Sequence, residues 1–178
     1  MMVRMTAALR QFWYNRSYLT EARQWLETAL AKSDPKPNST RLKLLNAFSQ
    51  VTRTQGDYAA TRRASEESLA ASREIKDLRQ IILACHAVAG LEIRENNLAA
   101  GRKLYEESLL ISRELNDERQ IAFSLSGLSN VLLNEGKASA ARTLLEEALL
   151  ISRRMGFKVL LSAEIGRASC RERVYSSV

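Results

Sequence analysis

Apolar and polar residues follow one another along this chain with the period of an α-helix. Between residues 19 and 30 the apolar side chains return after three or four positions, which gathers them on one helical face: Leu19, Ala22, Trp25, Leu26, Ala29 and Leu30. Comparable stretches continue to about residue 163, and only seven Gly and two Pro are present to interrupt them. The pattern predicts an all-α fold.

The helical pattern itself repeats about every forty residues. A period of this length is typical of a solenoid, in which each unit buries its apolar face against its neighbours. We therefore expect units of two helices at about 3–33, 40–76, 78–116 and 118–156, followed by a truncated fifth unit at 157–163. The residues that carry the repeat are Arg62, Glu66, Glu67, Leu69, Ser72 and Arg73, then Arg102, Glu106, Glu107, Leu109, Ser112 and Arg113, then Arg142, Glu146, Glu147, Leu149, Ser152 and Arg153.

Turn residues separate the two helices of each unit. We place these turns at Gly56-Asp57, Asn96-Asn97 and Gly136-Lys137, because Gly and Asn most readily adopt the positive φ that ends many helices. Between the first two units, residues 34–40 hold both prolines. Ser39 or Thr40 is predicted to cap the helix that follows, through its side-chain oxygen.

Two positions in each predicted second helix hold small residues, which lets a neighbouring helix approach closely. They are Ala22, Thr61, Gly101 and Ala141 at one position, and Ala29, Ser68, Ser108 and Ala148 at the other. This pattern resembles the tetratricopeptide repeat, whose first-helix signature is matched by Leu9, Trp13, Phe48, Val88, Leu128 and Leu132. The resemblance implies a right-handed superhelical solenoid of antiparallel helix pairs.

The match to this repeat has three departures. Arg10 stands where the first helix of the repeat has a small residue, and the usual final proline is missing. The period also exceeds the thirty-four residues that are usual for the repeat. Longer units of this kind resemble the repeats of large bacterial signalling ATPases and transcriptional regulators, in which the repeats are a sensor or docking arm. That resemblance implies an alternative function, as an intramolecular regulatory arm of a larger ATPase-type transcriptional regulator.

Candidate catalytic residues lack the neighbours that catalysis requires. The paired glutamates fit solvated helix faces, since Glu66 and Glu106 follow Arg62 and Arg102 by four residues. His86 is the single histidine, and no Ser or Asp motif completes a nucleophilic site around it. The two cysteines have no metal-binding or disulfide spacing. We expect a non-enzymatic protein with no cofactor and no metal site.

The net charge of +7 raises the question of a nucleic-acid partner. A dedicated nucleic-acid binder gathers its cations on one face or interleaves them with aromatic residues. Here Arg and Glu alternate around the second helices, and aromatic residues form only 6% of the chain. A protein or peptide is therefore the expected partner, and direct nucleic-acid binding is the weaker alternative.

The resemblance implies a concave groove lined by the first helices, and its expected residues carry no carboxylate. Amide side chains can hydrogen-bond a peptide backbone, and Lys or Arg can hold its carboxylates, so the groove suits an extended acidic peptide. Lys43, Asn46 and Arg53 are the strongest candidates. The full set is Arg4, Gln11, Tyr14, Asn15, Lys43, Asn46, Gln50, Arg53, Thr54, His86, Arg94, Ser126, Asn130 and Asn134.

The last residues of the chain are unlike the rest. The stretch Ile165 to Val174 resembles the translation of a sequencing adapter, so we treat residues 164–178 as an artefactual tail and expect them to be poorly ordered. The truncated fifth unit leaves an apolar edge, which predicts self-association through uncapped ends. No apolar run reaches the ~20 residues that span a bilayer, and no signal peptide is apparent. We expect a cytoplasmic protein with no membrane partner.

Overall fold

Short links divide the chain into helices of nearly equal length. The computed structural model describes residues 18–156, and within that range every element is an α-helix, as the sequence predicted. The first and second helices of successive repeats alternate, beginning with a second helix. They are α1 (Leu19–Ala31), α2 (Ser39–Thr54), α3 (Tyr58–Glu74), α4 (Leu78–Arg94), α5 (Leu98–Glu114), α6 (Glu118–Asn134) and α7 (Ala138–Arg154).

From α2 onward, each helix is followed by a residue at positive φ. The predicted turn residues Gly56, Asn96 and Gly136 have φ of 80°, 65° and 76°. Lys76 and Asn116 adopt the same conformation between repeats, with φ of 55° and 51°. This conformation turns the chain sharply, so that three residues are enough to join one helix to the next.

One aspartate often serves both of the helices that meet at a link. The backbone N–H of Asp57 donates to the carbonyl of Thr52 at 2.9 Å, which closes α2. Its side-chain Oδ1 then accepts the N–H of Ala60 at 3.0 Å, which begins α3. The hydrogen bonds that this carboxyl accepts from the N–H of Ala60 and from Arg23 lower the pKa of Asp57. Asp77 and Asp117 repeat the arrangement.

Two expectations about single residues are wrong. Asn38 caps α2, since its Oδ1 accepts the N–H of Arg41 at 2.9 Å; Ser39 is the first helical residue instead. Trp25 was placed on the buried face of α1, but 48% of its surface is exposed. The neighbouring Ala22, Leu26 and Ala29 are buried as predicted.

The described residues form two compact units, one ending at Glu95 and the other beginning at Asn96. In the first unit, α2 packs against α1 and α3, and α4 packs against α3 and α2. The apolar core between α1 and α2 is formed by Ala22, Leu26, Ala29, Leu44, Ala47 and Val51.

In the second unit, α6 packs against both α5 and α7. Its core joins Ala122 and Leu125 of α6 to Ala148 and Ile151 of α7. The small residues predicted in the second helices are buried in both units, as a close approach of neighbouring helices requires. The expected first helix of unit 3–33 and the segments 157–163 and 164–178 lie outside the described residues.

Candidate functional site

Helix α2 presents a polar stripe on its exposed side. Lys43 is exposed, Gln50 is half-buried and Thr54 is exposed. Their spacing of seven and then four residues places them in one line about 16 Å long. Arg53 is exposed beside this line. We call the exposed polar side chains of α2 and α4 the first-helix face of the first unit, and those of α6 the first-helix face of the second unit. The groove candidates Arg4, Gln11, Tyr14 and Asn15 lie outside the described residues.

The candidates Asn46 and Ser126 are not part of either face. They stand at equivalent positions of α2 and α6, and only 5% and 6% of their surfaces are exposed. Ser126 lies on the buried side of α6, beside Leu125. The prediction that Asn46 and Ser126 line an open groove is therefore wrong. His86 has the equivalent position in α4 and is half-buried.

Asn46 belongs instead to a buried hydrogen-bonded network in the first unit. Its Nδ2 donates to Oε1 of Gln80 on α4 at 2.7 Å, and its Oδ1 accepts from the hydroxyl of Ser68 on α3 at 3.0 Å. The hydroxyls of Thr52 and Thr61, also fully buried, lie 2.9 Å apart. Because a buried amide must be satisfied inside the protein, Asn46 holds three helices together.

His86 is a poor proton acceptor in the folded protein. Burial lowers its pKa to about 4, because the surroundings disfavour a charged imidazolium. The ring is therefore neutral at physiological pH. It does not supply the positive charge that an acidic ligand would seek.

Arg94 lies at the end of α4 and is exposed. Its guanidinium stacks on the ring of Tyr58, 3.5 Å from the centroid, an attraction that fixes the orientation of the cation. Arg79, which is exposed in the first turn of α4, was not among the predicted groove residues. The signal was available, because Arg119 has the equivalent position forty residues later.

The second unit contributes an amide pair from α6. Asn130 is half-buried and Asn134 is exposed. The Nδ2 of Asn134 donates to the carbonyl oxygen of Asn130 at 2.8 Å. This bond holds one amide against the helix and keeps both side chains at the surface. The first-helix face of this unit is therefore polar and uncharged at these two positions.

Three arginines at equivalent positions of the second helices, Arg23, Arg62 and Arg102, are paired with carboxylates. Arg23 Nε contacts Glu27 at 2.9 Å, and its Nη2 reaches Asp57 at 2.9 Å. Arg62 contacts three glutamates, and hydrogen bonding to Glu92, Glu66 and Glu95 raises its pKa. Arg102 pairs with Glu135, and contacts from Lys137 and Arg102 lower the pKa of that carboxyl.

Three cations of the first helices differ from these paired arginines. Among the ion pairs of residues 18–156, none involves Lys43, Arg53 or Arg79. Helix α2 contains no Asp or Glu at all. Its exposed cations are therefore open to a carboxylate from outside the described chain.

The described part of the chain holds no group of three or more His, Cys, Asp or Glu side chains that could bind a metal ion. From Tyr18 to Gly156, no helix combines the length and the apolar character that crossing a bilayer requires.

Comparison with known families identifies the repeat. Residues 124–155 match the family model described as tetratricopeptide repeat. This range begins within α6 and includes all of α7. Among curated proteins, none matches this chain.

Proposed function

This chain is a tetratricopeptide repeat protein, and from that premise we propose that it is a non-catalytic binding module for an extended acidic peptide. Repeats of this family generally mediate protein interactions and are typically non-catalytic. The acidic character of the partner and its location on the first-helix face are our proposal.

The unequal pairing of cations supports this location. Arg23, Arg62 and Arg102 of the second helices are paired with carboxylates within the protein, and Arg62 contacts three glutamates. Lys43 and Arg53 are exposed on a helix without a carboxylate. A peptide carboxylate can pair with them without breaking an internal ion pair.

The test compares two double variants of equal charge. Lys43→Ala/Arg53→Ala removes two cations from α2. Lys103→Ala/Arg153→Ala removes two exposed cations from second helices, so both proteins lose the same net charge. Binding is measured by fluorescence polarisation with a labelled ten-residue peptide rich in Asp and Glu, and with the same peptide carrying Asn and Gln.

We expect the α2 variant to bind the acidic peptide at least about tenfold more weakly, since a hydrogen bond to a charged group contributes roughly 1.5–3 kcal/mol. The second-helix variant should change affinity by less than about threefold, which measures the long-range charge effect alone. Equal weakening in both variants, or unchanged binding in a folded α2 variant, would place the acidic ligand elsewhere.

A further inference from the structure

The first unit contains a cleft that is separate from the first-helix face. It has a volume of about 370 Å³ and lies among α1, α2 and α3. Leu30 of α1, Leu45 and Phe48 of α2, and Ala60 and Ala64 of α3 form its apolar lining. Leu45 and Phe48 project from the side of α2 opposite to Lys43, because two and five residues correspond to roughly 200° and 140° of helical rotation. The two surfaces therefore use different faces of α2.

The repeat explains why this cleft is open. Ala64 has the position that Leu104 and Leu144 occupy in the two following repeats. In the second unit, Leu144 packs against the core formed by α6 and α7, together with Leu109 and Ile121. The first unit has the smaller alanine at the same position. The cleft is thus the space in which the protein elsewhere places a leucine side chain.

The charged rim of the cleft also differs from its equivalent in the second unit. Arg41 and Arg63 stand where the second unit has Ile121 and Thr143. Arg41 is already satisfied, since its Nη2 contacts Glu67 at 2.6 Å and its Nη1 donates to the hydroxyl of Ser33 at 2.8 Å. Arg63 is exposed and has no carboxylate of residues 18–156 at ion-pair distance, although its charge helps to lower the pKa of the Asp57 carboxyl. Glu67 also lies at the rim, where it is paired with Arg41. The rim therefore retains one cation that can pair with a carboxylate of a partner.

We propose that this cleft is a second docking site, which binds a leucine-like side chain of a partner peptide with an adjacent Asp or Glu. The space left by Ala64 selects a branched aliphatic group, because Leu144 shows which side chain fits the equivalent place. Arg63 selects the neighbouring carboxylate through a charge-assisted contact at the rim. This site lies beyond the proposed acidic-peptide surface and does not depend on it.

Two substitutions of alanine by leucine on α3 separate the cleft from the rest of the helix. Ala64→Leu fills the cleft with the side chain that the later repeats carry. Ala70→Leu is the matched control, because it adds the same atoms at an exposed position. Its equivalents Leu110 and Leu150 are 62% and 64% exposed, so the fold accepts leucine there. Circular dichroism and thermal unfolding verify that both variants are folded.

The probe is a library of random twelve-residue peptides displayed on phage, selected on the unaltered protein and depleted on the Ala64→Leu variant. We expect the recovered peptides to share a Leu, Ile or Met next to an Asp or Glu. A labelled peptide from this pool should bind the Ala64→Leu protein at least about tenfold more weakly, because it loses the burial of one aliphatic side chain. The Ala70→Leu protein should bind within twofold of the unaltered protein.

Arg63→Glu gives a second reading that does not depend on filling the cleft. This substitution should weaken the binding of peptides that carry the carboxylate, and it should leave the binding of the matching amide peptides unchanged. If Ala64→Leu fails to fold, this difference alone decides the proposal. A library that yields no peptide dependent on the open cleft, or a peptide with equal affinity for all three variants, would overturn it. Because Lys43 and Arg53 are intact throughout, failure here leaves the acidic-peptide proposal standing.

Discussion

His86 occupies a position that tolerates a neutral ring better than a charged one. Its pKa in the folded protein is about 4, whereas an unfolded chain has a histidine pKa of about 6.5. Above pH 6.5 the ring is neutral in both states, so it adds no pH dependence. Between pH 6.5 and 4 only the unfolded state binds the proton, and the free energy of unfolding must fall as the pH falls.

The prediction is a loss of about 1–2 kcal/mol in the free energy of unfolding between pH 7.5 and pH 5, beyond the loss seen in His86→Gln. Urea unfolding of both proteins at the two pH values measures it. The carboxylates titrate alike in both proteins, so their contribution cancels. Parallel pH profiles for the two proteins would show that His86 is protonated equally well in the folded state.

Gly127 shows how one residue sets the distance between two helices. A Cβ atom built on Gly127 of α6 would lie 2.2 Å from the ring of Tyr105 on α5, so a side chain there must displace that ring. Gly90, at an exposed position of α4, has nothing within 4 Å of its Cβ direction. The two glycines therefore differ in their surroundings while sharing a helical backbone.

We expect Gly127→Ala to reduce the free energy of unfolding by about 1–3 kcal/mol, as overpacked interiors do. Gly90→Ala should raise it by roughly 0.5–1 kcal/mol, because alanine favours a helix. Denaturant titration distinguishes the two signs. The double change Gly127→Ala/Tyr105→Leu should recover part of the loss, since Leu145 occupies the equivalent of position 105 in the last described repeat. Stabilisation by Gly127→Ala alone would contradict the close contact.

At the scale of the helices, an arginine of α3 ties that helix to the end of α4. Nη1 of Arg62 contacts Glu92 at 2.8 Å and Glu66 at 2.9 Å. The Glu92 side chain is 14% exposed, and that of Glu66 is 53% exposed. The same nitrogen thus makes two contacts of similar length, one shielded from water and one open to it.

Glu92→Gln should reduce the free energy of unfolding by about 1–3 kcal/mol, because it removes a shielded charge partner of a guanidinium. Glu66→Gln should change it by less than about 0.5 kcal/mol, as is usual for an exposed pair one helical turn apart. Thermal and urea unfolding at pH 7 measure the stability of both variants. Adding 0.5 M salt should diminish only the effect of Glu66→Gln, because salt screens exposed ion pairs. Equal losses would mean that burial does not decide the strength of these contacts.

The periodic signal predicted the helices and their turns, while the rotation of each helix about its axis remained uncertain. Turn residues such as Gly56 and Asn96 were found because positive φ restricts the residue type. Asn46 was misplaced because a polar residue among apolar ones is equally compatible with exposure and with a buried hydrogen bond. Its partners Ser68 and Gln80 lie on two other helices. No pattern within α2 indicates them.

Trp25 was misplaced for the opposite reason. Its spacing from Ala22 and Leu26 is correct for a buried stripe, yet the exposed fraction of a residue depends on what covers that stripe. The cleft beside Ala64 also depends on how neighbouring helices pack. Only a comparison with the packing of Leu144 shows that the space is there. Sequence therefore predicts which helices form more readily than which side chains meet.

For the whole molecule, the described chain forms two compact units divided between Glu95 and Asn96. Repeat proteins gain stability from each repeat and from contacts between neighbours, so a local defect is felt most strongly nearby. Asn46→Ala leaves Gln80 and Ser68 without a partner in the first unit. Gly127→Ala crowds Tyr105 in the second. One variant therefore perturbs the first unit and the other perturbs the second, so together they test whether the two units unfold separately.

Hydrogen exchange followed by mass spectrometry should show protection lost chiefly from α2, α3 and α4 in Asn46→Ala, and chiefly from α5, α6 and α7 in Gly127→Ala. Within each variant, the loss of protection in one unit is compared with that in the other unit. The two substitutions therefore need not destabilise the protein equally. A chain that unfolds as one cooperative body would lose protection in the same proportion along every helix in both variants. That uniform loss is the result that would contradict a division at Glu95.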